Sequence, residues 1–427
     1  MRMTSTTAIR LGLLSATALM AITGQANAAA FALQEQSVTG LGTAYSGGAA
    51  NTQDASTVFY NPAGMTNLSG TQINIGAINL SPNTKMTNNG STGSVLGVIA
   101  GNDGGNPFDS VNLVPHAYLS HAVNDKLWVG LAVTAPYGLA EEYDQGWFGR
   151  FGSTKSQLST IDVAPSIAYK INNQWSVGAG VDVQYVKANL EANPSTTSGG
   201  TGVVSKLNGD DISVGANFGV QWHPTEMTNL GLTYRTGIGH ELEGSISSAG
   251  ATPAGSTYAR GHANLDLPDI VTFGASQKLD NQWTVQGQVN WYNWSRFHDI
   301  TAITNTGVVA KRSLEEYDDT FGVAIGTEYK HNDTWTFRGG MQYDETPTVD
   351  SRRDTLVPDG NRTWLTGGAT YNITPNVGLN FAAAYIWVTD ANLNYTTPPA
   401  GALGTETIRA TAESHIILTG IDLTYKF

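Results

Sequence analysis

Stretches in which every second residue is apolar leave this chain few folds to choose from. Trp175, Val177, Ala179, Val181, Val183 and Tyr185 alternate with Ser176, Gly178, Gly180, Asp182 and Gln184. Successive side chains of a strand point to opposite faces, so this segment has one greasy face and one wet face. The pattern returns at Trp283, Val285, Val289 and Trp291, at Phe321, Val323, Ile325 and Tyr329, and at Val377, Leu379, Phe381, Tyr385 and Trp387. A soluble sandwich also alternates, so alternation alone leaves two architectures open. The wet faces decide between them. Their Gly, Asn, Gln and Ser residues suit a polar lumen, and the outer Val, Leu and Ile flanked by Trp and Tyr suit a lipid-facing band between aromatic girdles.

The turns form a second repeat. Asn124-Asp125-Lys126, Asn172-Asn173-Gln174, Asp280-Asn281-Gln282 and Asn332-Asp333-Thr334 are each followed within two residues by a tryptophan, at Trp128, Trp175, Trp283 and Trp335. Asn and Asp tolerate left-handed backbone, which predicts tight hairpin turns. A tryptophan just beyond a turn is expected at the membrane interface, with its N–H hydrated. Much longer polar connections lie near residues 83–110, 190–209, 245–260, 296–316, 346–361 and 392–412. Short turns on one side and long loops on the other are the mark of an outer-membrane barrel. From Thr71 onward the pattern predicts an all-β fold, a transmembrane antiparallel barrel of about fourteen strands. Glu141, Glu142, Asp144, Glu315, Glu316, Asp318 and Asp319 are expected as solvated loop charges.

The ends of the chain agree with export. Arg2 and Arg10 bracket a short basic region, Leu11 to Ile22 form an apolar stretch, and Ala26-Asn27-Ala28 has the form of an A-x-A cleavage site, so residues 1–28 are expected to be a signal peptide. No later segment has about 18 consecutive apolar residues, which argues against α-helical spans. Removing residues 1–28 takes away two of the 22 Lys and Arg and none of the 35 Asp and Glu, so the net charge moves from −13 to −15. That balance disfavours nucleic acid, whose phosphates need clustered cations. The run Ile417, Thr419, Ile421, Leu423, Tyr425, Phe427 alternates to the last residue, as a closing strand would. Its terminal Phe427 resembles the signal read by the outer-membrane insertion machinery.

The segment between the cleavage site and the first strand does not alternate. It carries Gly40-Leu41-Gly42, Ala44-Tyr45-Ser46-Gly47 and Asn61-Pro62-Ala63-Gly64-Met65. With a mature start near Ala30-Phe31, these runs resemble the FadL family of outer-membrane long-chain fatty acid transporters, which also includes aromatic-hydrocarbon transporters. The resemblance resumes at Tyr137-Gly138-Leu139-Ala140, at Arg338-Gly339-Gly340, at Tyr343-Asp344-Glu345-Thr346-Pro347 and at Pro358-Asp359-Gly360-Asn361-Arg362. It implies a hatch of residues 29–70 plugging a barrel of residues 71–427 in a Gram-negative outer membrane. It further implies passive transport without cofactor or metal: capture at outer loops, an internal pocket, and sideways release where the third strand kinks near the Asn-Pro-Ala motif. The expected partners are a fatty acid or other hydrophobic small molecule and outer-membrane lipid including lipopolysaccharide, and a monomer is expected.

Individual residues carry competing readings. Asn61, Pro62 and Ala63 are expected to gate, although Asn-Pro also initiates ordinary turns. Pro136 and Gly138, after Leu131-Ala132-Val133, read most simply as the end of a strand, which would put the family's kink earlier, near Gly130. Arg338 lies on the lumen side of its strand, because a charge facing lipid at midplane costs roughly 2–4 kcal/mol. It is a candidate for a ligand carboxylate or for an inward acid such as Glu328, and Arg235 is a second candidate. Phe31 and Leu33 would line the internal pocket by resemblance, or simply pack the hatch against the wall. The eight histidines are scattered, with no G-x-S-x-G and no H-E-x-x-H run, so no enzyme is expected. A general porin for hydrophilic solutes is the alternative from another class, and aromatic hydrocarbons are the alternative cargo.

Overall fold

A computed structural model describes residues 30–93, 97–108, 112–193, 205–248, 257–396 and 405–427. The expected signal peptide lies outside the described residues. The chain forms an all-β, fourteen-stranded closed antiparallel barrel around an N-terminal segment that fills its lumen. Its membrane-crossing strands are β1 (Thr71–Asn88), β2 (Asn112–Asn124), β3 (Leu127–Thr134), β4 (Lys155–Lys170), β5 (Trp175–Ala192), β6 (Ser205–Thr225) and β7 (Thr228–Arg235). They continue with β8 (Ile270–Lys278), β9 (Trp283–Tyr292), β10 (Thr320–Lys330), β11 (Trp335–Asp344), β12 (Arg362–Thr374), β13 (Val377–Val388) and β14 (Glu406–Lys426). Each strand pairs with the next. The ring closes where β14 meets β1, from Gln72 opposite Lys426 to Asn88 opposite Ala410. Closure matters because hydrocarbon offers no partner to an open edge.

Outward positions carry the alternating apolar residues, with Ile325, Met341, Phe381 and Ile421 each more than two-fifths exposed. Trp335 and Tyr343, at the two ends of β11, are both exposed. Eight residues at about 3.3 Å each put them roughly 26 Å apart along the strand, the height of a lipid-facing band. Ring pairs such as Trp175 stacked on Trp222 and Trp335 tilted against Tyr371 form the girdle at the short-turn end. Trp128 departs from this arrangement. It is buried and its Nε1 donates to the Leu68 carbonyl oxygen at 2.8 Å, so this tryptophan faces the lumen and ties the end of the plug to the wall.

The short turns are built differently from the sequence expectation. None of their Asn or Asp residues has positive φ. Instead Asn124, Asn172, Asp280 and Asn332 each accept, on one side-chain oxygen, the backbone N–H groups two and three residues on. Thr225 and Thr374 do the same with their hydroxyls, so all six short turns share one device.

Several strands are interrupted at the long-loop end and then continue as a collar above the membrane band. The continuations are Gly138–Glu142, Gly239–Ser248, Thr257–Asp266, Asp299–Thr304, Val309–Leu314 and Ala391–Thr396. Much of the expected loop at 296–316 is therefore a paired hairpin, Asp299 opposite Leu314 and Ala302 opposite Lys311. Glu141 and Glu315, expected as solvated charges, are buried inside the collar.

Candidate functional site

The first wall strand begins at Thr71, and the residues before it fold as a plug of short elements: α1 (Val38–Gly42), capped by Ser37, α2 (Thr57–Tyr60), and a 3-10 turn over Pro62–Asn67. The plug lies against wall glycines. A Cβ at Gly368 would fall 2.9 Å from Gly42 Cα, one at Gly130 would meet Val58 at 2.8 Å, and one at Gly340 would fall 2.8 Å from Ala44 N and closer to the Thr43 carbonyl. The inner-face glycines thus admit the plug's backbone.

Asn61 caps the 3-10 turn, its Oδ1 accepting from Ala63 N at 3.1 Å. Its Nδ2 donates to the carbonyls of Ala49 at 2.6 Å and of Val220, on β6, at 3.1 Å. Gly178 on β5 and Gly219 on β6 leave the space that Pro62, Ala63 and Asn61 occupy. The Asn-Pro-Ala motif is therefore seated on β5 and β6, not on the interruption of β3.

That interruption is at residues 135–137. The ladder runs unbroken through Gly130, which pairs with both Ser120 and Ser166, so the kink is not at Gly130. Pairing of β2 with β3 stops at Ala117 opposite Val133. Beyond Pro136 the chain resumes at Gly138 and, among the described strands, pairs with β4. The wall therefore has a break between Asn112–His116 of β2 and the Pro136 bend. Pro115 lies in the β2 half, where a residue without an N–H is tolerated because the strand has become an edge.

The first of the described residues cover the break from inside. Ala32 bridges to Tyr137, Leu33 N donates to the Pro136 carbonyl oxygen at 2.8 Å, and Gly138 N donates to that of Phe31 at 2.9 Å. Gln36 supplies the rest: its Nε2 donates to Ala135 O at 2.8 Å, its Oε1 accepts from Ala135 N at 3.2 Å, and its own carbonyl accepts from Tyr118 Oη on β2 at 2.5 Å. Residues 31–36 thus replace the missing strand partner. Beside Gln36, Glu35 is fully buried with no hydrogen-bond partner for its carboxyl among the described residues, and burial pushes it up to about 8. At neutral pH this segment consequently presents no net charge.

Two cavities meet at the same segment. The outer one lies in the collar and is walled by Phe31, Leu139, Leu158, Leu190, Leu265, Phe297 and Val357. The inner one is walled by Leu33, Phe59, Pro62, Pro136, Tyr137, Arg235 and Tyr292. Phe31, packed edge-on against Trp294 at 4.9 Å and Phe297 at 5.2 Å, stands between them with Tyr137 at 6.4 Å.

Of the two arginines singled out from sequence, only Arg235 reaches either of these two cavities. Its Nη1 lies 2.5 Å from Asp182 Oδ1 and 3.6 Å from Asp162 Oδ2, its Nη2 donates to Phe59 O at 3.0 Å, and its guanidinium stands 4.4 Å over the Phe59 ring. Arg338 lines neither cavity. Its Nε donates to Glu328 at 2.9 Å and Gln53 at 3.0 Å, and its Nη1 to Thr370 at 2.7 Å, which makes it a clamp between plug and wall. Replacing Arg235 with Met is expected to leave two buried acids uncompensated and to cost about 3–5 kcal/mol. Thermal unfolding in detergent measures this, and adding Asp162→Asn and Asp182→Asn should restore most of the loss. An unchanged Tm for Arg235→Met would contradict the pairing.

Gln36 and Pro115 escaped the sequence reading. Pro115 carries a usable signal, a proline inside an otherwise regular strand pattern. Gln36 carries none, since it is one polar residue in an unpatterned segment.

Residues 19–427 match the family model described as "Outer membrane protein transport protein (OMPP1/FadL/TodX)". The chain is 27% identical over 418 residues to a long-chain fatty acid transport protein of Escherichia coli (strain K12), covering 89% of this chain and 92% of that one. It is 30% identical over 444 residues to a 47 kDa outer membrane protein of Pasteurella multocida, covering 97% and 98%. Among solved structures, the crystal structure of a Pseudomonas aeruginosa FadL homologue superposes with a TM-score of 0.84 at 24% identity, covering 93% of this chain and all of that one. The P. putida toluene transporter TodX superposes with a TM-score of 0.67 at 17% identity, covering 88% and 95%.

Proposed function

The chain belongs to the OMPP1/FadL/TodX family of outer-membrane transporters of hydrophobic compounds, and on that premise we propose that it carries long-chain fatty acids passively inward and releases them sideways. The observation that carries this reading is the double use of residues 31–36. They separate the outer cavity from the inner one and close the break between β2 and β3. Withdrawing them joins the cavities and opens the inner one toward the hydrocarbon of the membrane.

In this scheme Phe31 and Leu33 line the path and Pro136 and Gly138 frame the exit. Asn61, Pro62 and Ala63 act as a fixed anchor, held on β5 and β6 while the segment before them moves. The apolar walls suit a ligand whose affinity comes from buried area. Fatty acid is favoured as cargo because relatives that match along nearly their whole length carry that name. Toluene transporters share the fold, which makes an aromatic hydrocarbon the second reading.

Uptake of radiolabelled oleate by cells that lack a fatty acid transporter tests the proposal. The expected result is saturable uptake that falls to background in cells without this chain. Saturable uptake of toluene with none of oleate would replace the cargo, and saturable uptake of neither would remove the proposal.

A further inference from the structure

Two oppositely charged groups where the plug meets the wall are buried and incompletely paired. Glu35, in the segment that covers the break, is fully buried, and neither of its carboxyl oxygens has a hydrogen-bond partner among the described residues. Arg362, at the start of β12, is buried as deeply. Its Nη2 donates to Asp359 Oδ1 at 2.5 Å, but its Nε and Nη1 have no partner among the described residues. Arg362 is the cation whose field reaches Glu35, and Asp344, opposite Arg362 on β11, is the acid that opposes it. The phenols of Tyr45 and Tyr60 in the plug and of Tyr292 on β9 are the other titratable groups around the carboxyl. A cation with two free nitrogens and a carboxyl with two free oxygens in one buried region would ordinarily join.

The residues on either side of Glu35 are anchored elsewhere. The Gln34 carbonyl oxygen accepts from Tyr60 Oη at 2.8 Å, and its Oε1 accepts from Gln342 Nε2 at 2.9 Å. Gln36 is held by Ala135 and Tyr118 across the break. Closure therefore fixes the Glu35 backbone, and with the segment seated the carboxyl and the guanidinium stay unpaired.

We propose that Glu35 and Arg362 are the two halves of a proton-controlled latch: the seated segment holds Glu35 protonated and unpaired, and the released segment holds it ionised and paired with Arg362. This deepens the transport reading and rests on the movement of residues 31–36 in it. An ionised Glu35 in the seated segment would be a buried charge without a hydrogen bond, a cost that a cation out of contact does not offset. Burial accordingly holds its carboxyl at about 8, against an ordinary value of 4.5. Release returns the carboxyl to its ordinary range or below, because hydration and the Arg362 pair both favour the ion. The seated state binds the proton more tightly than the released one, so closure has its full strength below pH 4.5. It weakens about tenfold per unit as pH rises toward 8 and levels off above that.

Labelling of the Ala32→Cys thiol in the full chain in detergent, with uncharged methyl methanethiosulfonate, tests this. The chain has no cysteine of its own, and position 32 is buried against Tyr137 while the segment is seated. Dividing by the rate for Asp125→Cys, in an exposed turn, removes the pH dependence of the thiol itself. From pH 5.5 to 7.5 the ratio is expected to rise at least about tenfold with Glu35 present and to stay low and flat when Glu35→Gln is added. Arg362→Gln should hold the ratio at pH 7.5 near the Glu35→Gln level, and Arg362→Lys should recover most of the rise. Heat-modifiable mobility on gels checks that each variant is folded. A ratio that does not rise, or rises equally with Glu35→Gln, would overturn the latch and leave transport standing, and a full rise in Arg362→Gln would overturn the pairing. An Ala32→Cys thiol that stays unlabelled at every pH in a chain that still takes up oleate would show that residues 31–36 do not move, and the sideways route would fall with the latch.

Discussion

Oxidising a chain that carries Ala32→Cys and Tyr137→Cys is expected to cut ligand uptake to less than a tenth, and reducing it to restore uptake. Ala32 and Tyr137 face each other in an antiparallel bridge flanked by the bonds Leu33 N to Pro136 O and Gly138 N to Phe31 O. That arrangement is the narrow, non-hydrogen-bonded kind of pair, with Cα atoms about 4.5 Å apart, within the range a disulfide spans. The chain has no cysteine of its own, so the pair has no competitor. A closed disulfide would hold the N-terminal segment on the Pro136 bend, keeping the cavities separate and the wall shut. Loosening the same contact acts in the other direction: Gln36→Ala removes both bonds to Ala135 and should raise the uptake rate while weakening binding. If the oxidised double variant transported at the reduced rate, the segment would not need to move and the lateral route would be wrong.

Gly340→Val is expected to turn a nearly silent barrel into a steady pore in planar bilayers. A Cβ at this position meets Thr43 and Ala44 backbone, which cannot swing aside as a side chain can. Ala44 and Tyr45 already sit at φ of 52° and 57°, so the plug has little conformational slack there. Overpacking of this kind costs about 1–3 kcal/mol, and displacing the plug is the available relief. The wall should survive, because its ladder bonds run from strand to strand and close at β14 and β1 without the plug. Gly340→Ala should give a smaller, flickering conductance. A silent Gly340→Val barrel with unchanged mobility on gels would show that the plug tolerates the methyls, and the glycine bed would lose its meaning.

The barrel was legible from sequence because its determinants are local. A strand in a membrane wall must alternate with period two, and four of the six short turns announce themselves with an Asn or Asp that collects the next backbone donors. Val177, Val181, Ile325 and Phe381 could be turned outward from their spacing alone, and Arg338 inward from the cost of a charge in lipid. Even its pairing with Glu328 follows once both face the lumen, since the two sit opposite each other on adjacent strands.

What escaped was decided by contacts between residues far apart in the chain. Trp128 stands four residues after Asn124 where Trp175 stands three after Asn172, which turns it to the inner face, and only the plug shows that the Leu68 carbonyl meets it there. Glu315 resembles any loop acid until the collar folds over it. The inner glycines look like a generic small-residue lumen, and only the plug's course across them shows which must stay bare. The break at residues 135–137 is marked by Pro136, but a proline at a strand end says nothing about the Gln36 side chain that covers it from about a hundred positions upstream. Alternation therefore determined which residues face lipid and which face inward. Tertiary structure alone decided what fills the inside, where the pairing of the wall is interrupted and which polar atoms remain unpaired, because inward-facing positions look alike until a distant segment packs against some of them.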